Sequence, residues 1–103
     1  MSDDLRQTLA EALKSVIDPE LGFNIVDLGL VYDIEVDDGG RARILLTTTT
    51  PGCPATNYIR QGVETCAGEV PGITAVDVTM TWLPPWSPDR MSDAAKEHLH
   101  VRR

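Results

Sequence analysis

The chain is poor in cysteine, poor in bases, and free of any long apolar run. With two cysteines among 103 residues, it cannot be a disulfide-stapled scaffold, and a reducing compartment suits it. It lacks CxxC, HExxH, a glycine-rich phosphate loop and a Walker lysine pattern. Dithiol oxidoreductases, zinc proteases and ATPases are therefore disfavoured. Nine Lys and Arg against sixteen Asp and Glu leave a net charge of −7. Phosphate recognition needs a basic face, so neither a nucleic acid nor an anionic membrane surface is an expected partner. The bases between Arg90 and Arg103 are interleaved with Asp93 and Glu97 and read as a solvated, mixed surface. No segment approaches the roughly 20 apolar residues of a membrane span. The start, Met1-Ser2-Asp3-Asp4, is acidic, unlike a signal or transit peptide, which predicts a cytoplasmic protein.

What is present fits one domain spanning residues 1–103. Ser2 is a candidate helix cap. Leu5, Leu9, Ala12, Leu13, Val16 and Ile17 follow at helical spacing. Pro19 disfavours helical geometry at Asp18, so the helix is expected to end near Ile17, with a loop to Asn24. Leu30 to Val36 alternates as a strand. Asp37-Asp38-Gly39-Gly40 is a turn, and Arg43 to Thr49 is the returning strand of a hairpin. Pro54 to Ala67 reads as a second helix, with Ala55, Ile59, Val63, Cys66 and Ala67 on its apolar stripe and Tyr58 beside it. A third strand is expected from Ala75 to Leu83, with Trp82 facing the core. A stiff loop at Pro84-Pro85-Trp86-Ser87-Pro88 follows, then a short helix from Ser92 to about Leu99. The order α-β-β-α-β-α, with a parallel crossover between the last two strands, predicts a small α+β two-layer sandwich. Its three-stranded mixed sheet would be packed with helices.

The segment Thr47-Thr48-Thr49-Thr50-Pro51-Gly52-Cys53-Pro54 carries the strongest chemical signal. Proline is favoured at the first position of a helix. Cys53 then falls at or beside the cap, where the helix dipole favours a thiolate. Such a thiol binds a soft metal, accepts a cluster or attacks an electrophile. A free Cys also serves as a small buried hydrophobe. The flanking Pro51, Gly52 and Pro54 and the polar threonines tilt the balance toward function. One thiol cannot complete a four-thiolate shell, so a cluster here would need carboxylates, a second copy or a client's ligands. Cys66 lies about 20 Å further along a straight helix, too far to share a metal or disulfide, and is expected to pack in the core.

Other features are weaker. Asp18-Pro19-Glu20 places two carboxylates in a loop, but it is also an ordinary start to a helical turn. Asp27-Leu28-Gly29-Leu30 points to a positive φ or a close backbone approach at Gly29. Trp86 sits in the proline loop, where it covers the Cys53 pocket, meets a partner or packs in the core. His98 and His100 lack the i, i+4 spacing of paired ligands and carry no metal expectation.

Taken in order, Asp18-Pro19-Glu20-Leu21-Gly22, Asn24 to Val31, Thr49 to Pro54, Trp82-Leu83-Pro84-Pro85-Trp86 and Asp89-Arg90-Met91-Ser92 resemble the MIP18 family. This family, formerly a domain of unknown function, includes SufT-type and PaaD-type proteins and the eukaryotic cytosolic iron–sulfur assembly factor. The resemblance spans nearly the whole chain. It implies a maturation role for iron–sulfur proteins, as an assembly or targeting factor rather than a defined enzyme. It maps the site onto Asp18, Glu20, Leu21, Thr49, Thr50 and Cys53. PaaD-type members usually carry an extra cysteine-bearing region at the C-terminus that is not seen in this sequence, so the resemblance leans to the SufT type.

The preferred expectation is an iron–sulfur maturation factor, either cluster carrier or client-targeting protein. Cys53 would be a cluster or iron ligand, or a transient thiolate to a client. Asp18 and Glu20 would tune it or add oxygen ligands, with Thr49 and Thr50 hydrogen-bonding around it. The expected cofactor is a transient iron–sulfur cluster or iron. The expected partners are the assembly machinery and apo client proteins, with a homodimer pairing two Cys53 thiolates as one arrangement. The alternative is a metal-free adaptor for a metabolic enzyme complex, such as a PaaD-like oxygenase accessory protein, docking through Trp86. A thiol enzyme is disfavoured because no His lies near Cys53 in sequence.

Overall fold

Leu9 and Leu13, fully buried, anchor the first helix, α1 (Ser2–Leu13). It ends four residues before the expected Ile17. The amides of Lys14, Ser15 and Val16 instead donate to the carbonyls of Glu11, Ala12 and Leu13 at 3.1, 3.1 and 3.0 Å, tightening the last turn. The sequence stripe misleads here because Val16 is buried but Ile17 is not; Ile17 is 42% exposed. Ahead of Pro19 the chain is extended. Ile17 and Asp18 form a strand, β1 (Ile17–Asp18), antiparallel to β2 (Phe23–Asn24), where a plain loop was expected. The computed structural model describes residues 2–49 and 55–99. Thr50, Cys53, the Pro54 start of the second helix, and His100 lie outside them.

The main sheet has the order β3-β4-β5: β3 (Val31–Val36), β4 (Arg41–Leu46) and β5 (Ala75–Met80). β3 pairs antiparallel with β4, placing Ile34 opposite Ile44, and the register shifts by a bulge between Val31 and Asp33. Asp37 fixes the hairpin turn, its Oδ1 accepting from the amides of Gly39 and Arg41 at 2.9 and 3.0 Å. β5 runs parallel to β4, with Val78 opposite Ile44, as the crossover predicts. Both later strands stop short of expectation. β4 runs two residues earlier, from Arg41, and ends at Leu46 rather than Thr49. β5 ends at Met80 rather than Leu83.

The second helix, α2 (Ala55–Gly68), buries Ala55, Ile59, Val63 and Ala67, one residue per turn along a single stripe. α1 packs on β3, α2 packs on β5, and the helices touch each other. Ala42, Ile44 and Leu46 point into the core between the layers. Arg41 and Arg43 on the opposite face pair with Asp77 and Glu35 at 3.1 and 3.8 Å, in water. The result is the expected two-layer α+β sandwich.

After β5 a 3-10 turn (Pro88–Arg90) leads to α3 (Asp93–His98), capped by Ser92, whose Oγ accepts from the Ala95 amide at 3.2 Å. This segment is a strap across residues 23–32. Tyr32 Oη donates to the Pro84 carbonyl at 2.8 Å, and the Trp86 indole N–H donates to the Leu28 carbonyl at 2.7 Å. The Arg90 guanidinium lies 4.6 Å from the Tyr32 ring centre. The Ser92 amide donates to the Asp27 carbonyl at 2.7 Å. His98 sits against Phe23, with ring centres 4.7 Å apart.

Gly29 is where the strap comes closest. Its φ is +78°, and a Cβ there would strike the Arg90 carbonyl oxygen and come within 2.7 Å of the Arg90 Cβ. Gly29→Ala combines backbone strain with that collision, and is expected to cost about 3 kcal/mol in urea unfolding.

Asp27 sits beneath the strap. Asn24 Nδ2 donates to its Oδ2 at 2.8 Å. This bond is the largest influence on its carboxyl, which lies below the ordinary 3.8. Burial opposes the shift, while Ser92 and Lys14 assist it. Because the folded pKa is the lower one, Asp27 stabilises the fold above the ordinary carboxylate pKa, and that contribution is lost as pH falls through the folded value. The stability difference between wild type and Asp27→Asn, followed by urea titration at successive pH values, is expected to be largest near neutrality and to shrink in acid.

Candidate functional site

The acidic turn forms around one carboxyl group. Asp18 is 2% exposed, a position that demands hydrogen bonds. Its Oδ1 accepts from the amides of Glu20 and Leu21 at 2.7 and 3.2 Å. Its carbonyl accepts from the Gly22 amide at 2.7 Å, and Gly22 takes a φ of +72°. Asp18, Glu20 and Leu21 are thus brought together as one hydrogen-bonded turn. Asp18 shapes it from inside, Leu21 packs partly against the core, and Glu20 is exposed at the surface.

The threonine segment leaves the end of β4. Thr47 and Thr48 are buried at 0 and 2% exposure, and Thr49 is half-buried. The Thr47 amide donates to the Leu30 carbonyl at 2.9 Å, and the Thr81 amide donates to the Leu46 carbonyl at 2.8 Å. The Trp82 indole N–H donates to Thr48 Oγ1 at 2.9 Å. The expectation that Trp82 faces the core therefore needs correcting. β5 ends before it, and its ring is half-buried with its N–H turned to Thr48. Trp86 is the tryptophan that packs partly against the core.

The acidic turn is packed near the helix that follows the threonine segment in the sequence. β1, which carries Asp18, packs against α2, the helix that follows residue 54. Gly62 permits the approach, since a Cβ there would already lie 3.1 Å from Val16 Cγ1. Ile17 and Tyr58 then line one open surface groove of about 320 Å³, with Tyr58 in the first turn of α2. Among the described residues, no hydrogen bond joins Asp18 or Leu21 to Thr49. No group of three or more His, Cys, Asp or Glu suited to a metal occurs among them either.

Cys66 also lines that groove and packs only partly against the core. Burial, and then Glu69, push its thiol above the ordinary 9.0, which makes it a poor nucleophile. Sequence reasoning missed the exposure of three apolar residues: Ile17 and Tyr58, the latter at 58%, in the groove, and Leu83, at 79%, after β5. Only the failure of Ile17 to extend α1 would have exposed the first of these.

A model of an iron–sulfur cluster assembly protein family matches residues 6–80. The chain is 39% identical over 102 residues to YitW, an Fe–S protein maturation auxiliary factor of Bacillus subtilis, covering 99% of this chain and 100% of that one. It is 48% identical over 86 residues to SufT, a factor of the same description from Staphylococcus aureus, covering 84% and 98%. The crystal structure of a domain of unknown function from Bacillus anthracis superimposes with a TM-score of 0.93 at 41% identity, covering 98% of this chain and 96% of that one.

The Trp86 indole spends its one donor on the buried Leu28 residue. Trp86→Phe strands that carbonyl and is expected to lower stability by about 2 kcal/mol, read from the urea midpoint.

Proposed function

The chain belongs to the iron–sulfur cluster assembly protein family, and from that premise we propose that it is an auxiliary factor in the maturation of iron–sulfur proteins in the cytoplasm. Cys53 is its cluster or iron ligand. Asp18 and Glu20 form the acidic wall of the site, Leu21 packs behind them, and Thr49 and Thr50 supply hydrogen bonds around the thiol. The observation that carries this reading is the packing of β1 on α2, so that the turn built on Asp18 lies near the helix that Cys53 and Pro54 precede in the sequence.

The donor set favours a passing cluster over a resident one. Each chain offers one thiol at this site, and the Asp18 Oδ1 is already held by two amides. The cluster is therefore cargo, its remaining ligands coming from a second copy of the chain through its own Cys53 or from the client. The partners are the assembly machinery that supplies the cluster and the apo proteins that receive it. The chain transfers and targets; it does not catalyse.

A second reading is a metal-free adaptor docking clients through Trp86 and its neighbours. Leu83 at 79% exposure, beside the exposed Pro84 and Pro85, favours it.

Anaerobic reconstitution with iron and sulfide separates the two. Wild type is expected to gain visible cluster absorption with matching iron and sulfide counts, and Cys53→Ser to lose it. Asp18→Asn keeps an acceptor for the turn, and is expected to fold normally and bind cluster less tightly. Absence of stoichiometric cluster from wild type would sink the carrier and leave the adaptor.

A further inference from the structure

The Trp82–Thr48 hydrogen bond joins two points 34 residues apart. It lies where the threonine segment leaves the sheet, and three observations converge on that place. Thr48 is 2% exposed, so its hydroxyl is not replaceable by a water-bonded one without cost. The residues just before it are pinned on both sides, Thr47 by the Leu30 carbonyl and Leu46 by the Thr81 amide. Trp82 itself is outside the core cluster, so its indole is not held there merely by apolar packing. A partly exposed tryptophan that turns its only donor inward, onto a threonine two residues past the end of β4, is placed to hold that segment.

We propose that Trp82 is a positioning residue: acting through Thr48, it holds the Thr48–Thr49 segment that precedes Cys53 in the sequence. The proposal rests on the reading of Cys53 as the working thiol. It adds a residue that the acidic turn and threonine loop do not include. The backbone bonds set where the segment starts, and the indole N–H sets the orientation of Thr48, from which Thr49 continues. Phenylalanine at 82 would keep the ring and lose the donor. Valine at 48 would keep the shape and lose the acceptor, and serine would retain it.

The test uses the full chain with Cys66→Ala, so that Cys53 is the single thiol. Amide hydrogen exchange is read by peptide across the whole chain, and Cys53 alkylation by iodoacetamide is read at one fixed pH. Trp82→Phe and Thr48→Val are each expected to speed exchange in the peptide containing Thr48 and Thr49 about tenfold, and to change the alkylation rate about threefold. Exchange in β3 should not change. The double variant should do no more than Thr48→Val alone, because that change already removes the bond that Trp82→Phe removes. Thr48→Ser should restore wild-type values. A uniform rise in exchange across the sheet, or an unchanged alkylation rate in both single variants, would overturn the proposal, since either marks a bond that only adds stability. If Trp82→Phe fails to fold, Thr48→Val with its serine rescue decides alone. Client activation, measured separately with Cys53→Ser, keeps the two claims apart. Full activity in Cys53→Ser would refute the thiol reading while leaving the exchange result to judge the positioning bond.

Discussion

A carboxyl group that is 2% exposed must find donors, and the Asp18 side chain finds them in the backbone just ahead of it. Much of the amino-terminal half follows from that requirement. Pro19 keeps Asp18 extended, and the extended chain ends the helical run. The short ribbon that results turns the chain back on itself and lays Val16 against Gly62 of α2. Replace the turn with a longer helix, as the apolar stripe suggests, and the acidic residues would point along α1 instead of lying beside α2.

The carboxyl-terminal strap meets a second need. A three-stranded sheet with one helical layer leaves the chain between β2 and β3 uncovered, although Ile25, Leu28 and Leu30 there are fully buried. Met91 and Ala95, also buried, complete that part of the core. The strap holds the segment both by its backbone, at the Asp27 and Leu28 carbonyls, and by its side chains, at the Tyr32 hydroxyl and ring and the Asp27 carboxyl. The family match ends at residue 80. The strap beyond it is nonetheless closed over the segment Asn24 to Val31 that makes the resemblance recognisable.

The sandwich, its element order, the parallel crossover, the hairpin turn and the Ser92 cap were all legible because each depends on local pattern: alternation, helical spacing, or turn residues. Most of the errors share one cause. The early ends of β4 and β5 and the places of the two tryptophans are decided by partners distant in sequence, while the end of α1 is set locally by its tightened last turn. Alternation put Trp82 in the core and left Trp86 open in the proline loop, and only the fold assigns them: Leu28 claims the Trp86 indole and Thr48 the Trp82 indole. In the candidate site, the proline and glycine pattern around Cys53 made that thiol interesting, but the acidic turn rose above an ordinary Asp-Pro turn only through family resemblance. Nothing in the residue pattern announces that β1 packs against α2.

Because β4 and β5 are parallel and β3 is antiparallel to both, the sheet has two unlike ends. At one end Leu30, Thr47 and Thr81 crowd together. At the other lies the tight hairpin at Asp38 and Gly39, both exposed, held by bonds of its own from Asp37 and Thr74. The molecule thus has a natural handle. A dye, an affinity tag or a surface tether attached at Asp38 would hold the protein by the end of the sheet opposite the threonine segment, with the acidic turn and the groove at Ile17 and Tyr58 left facing whatever arrives from solution.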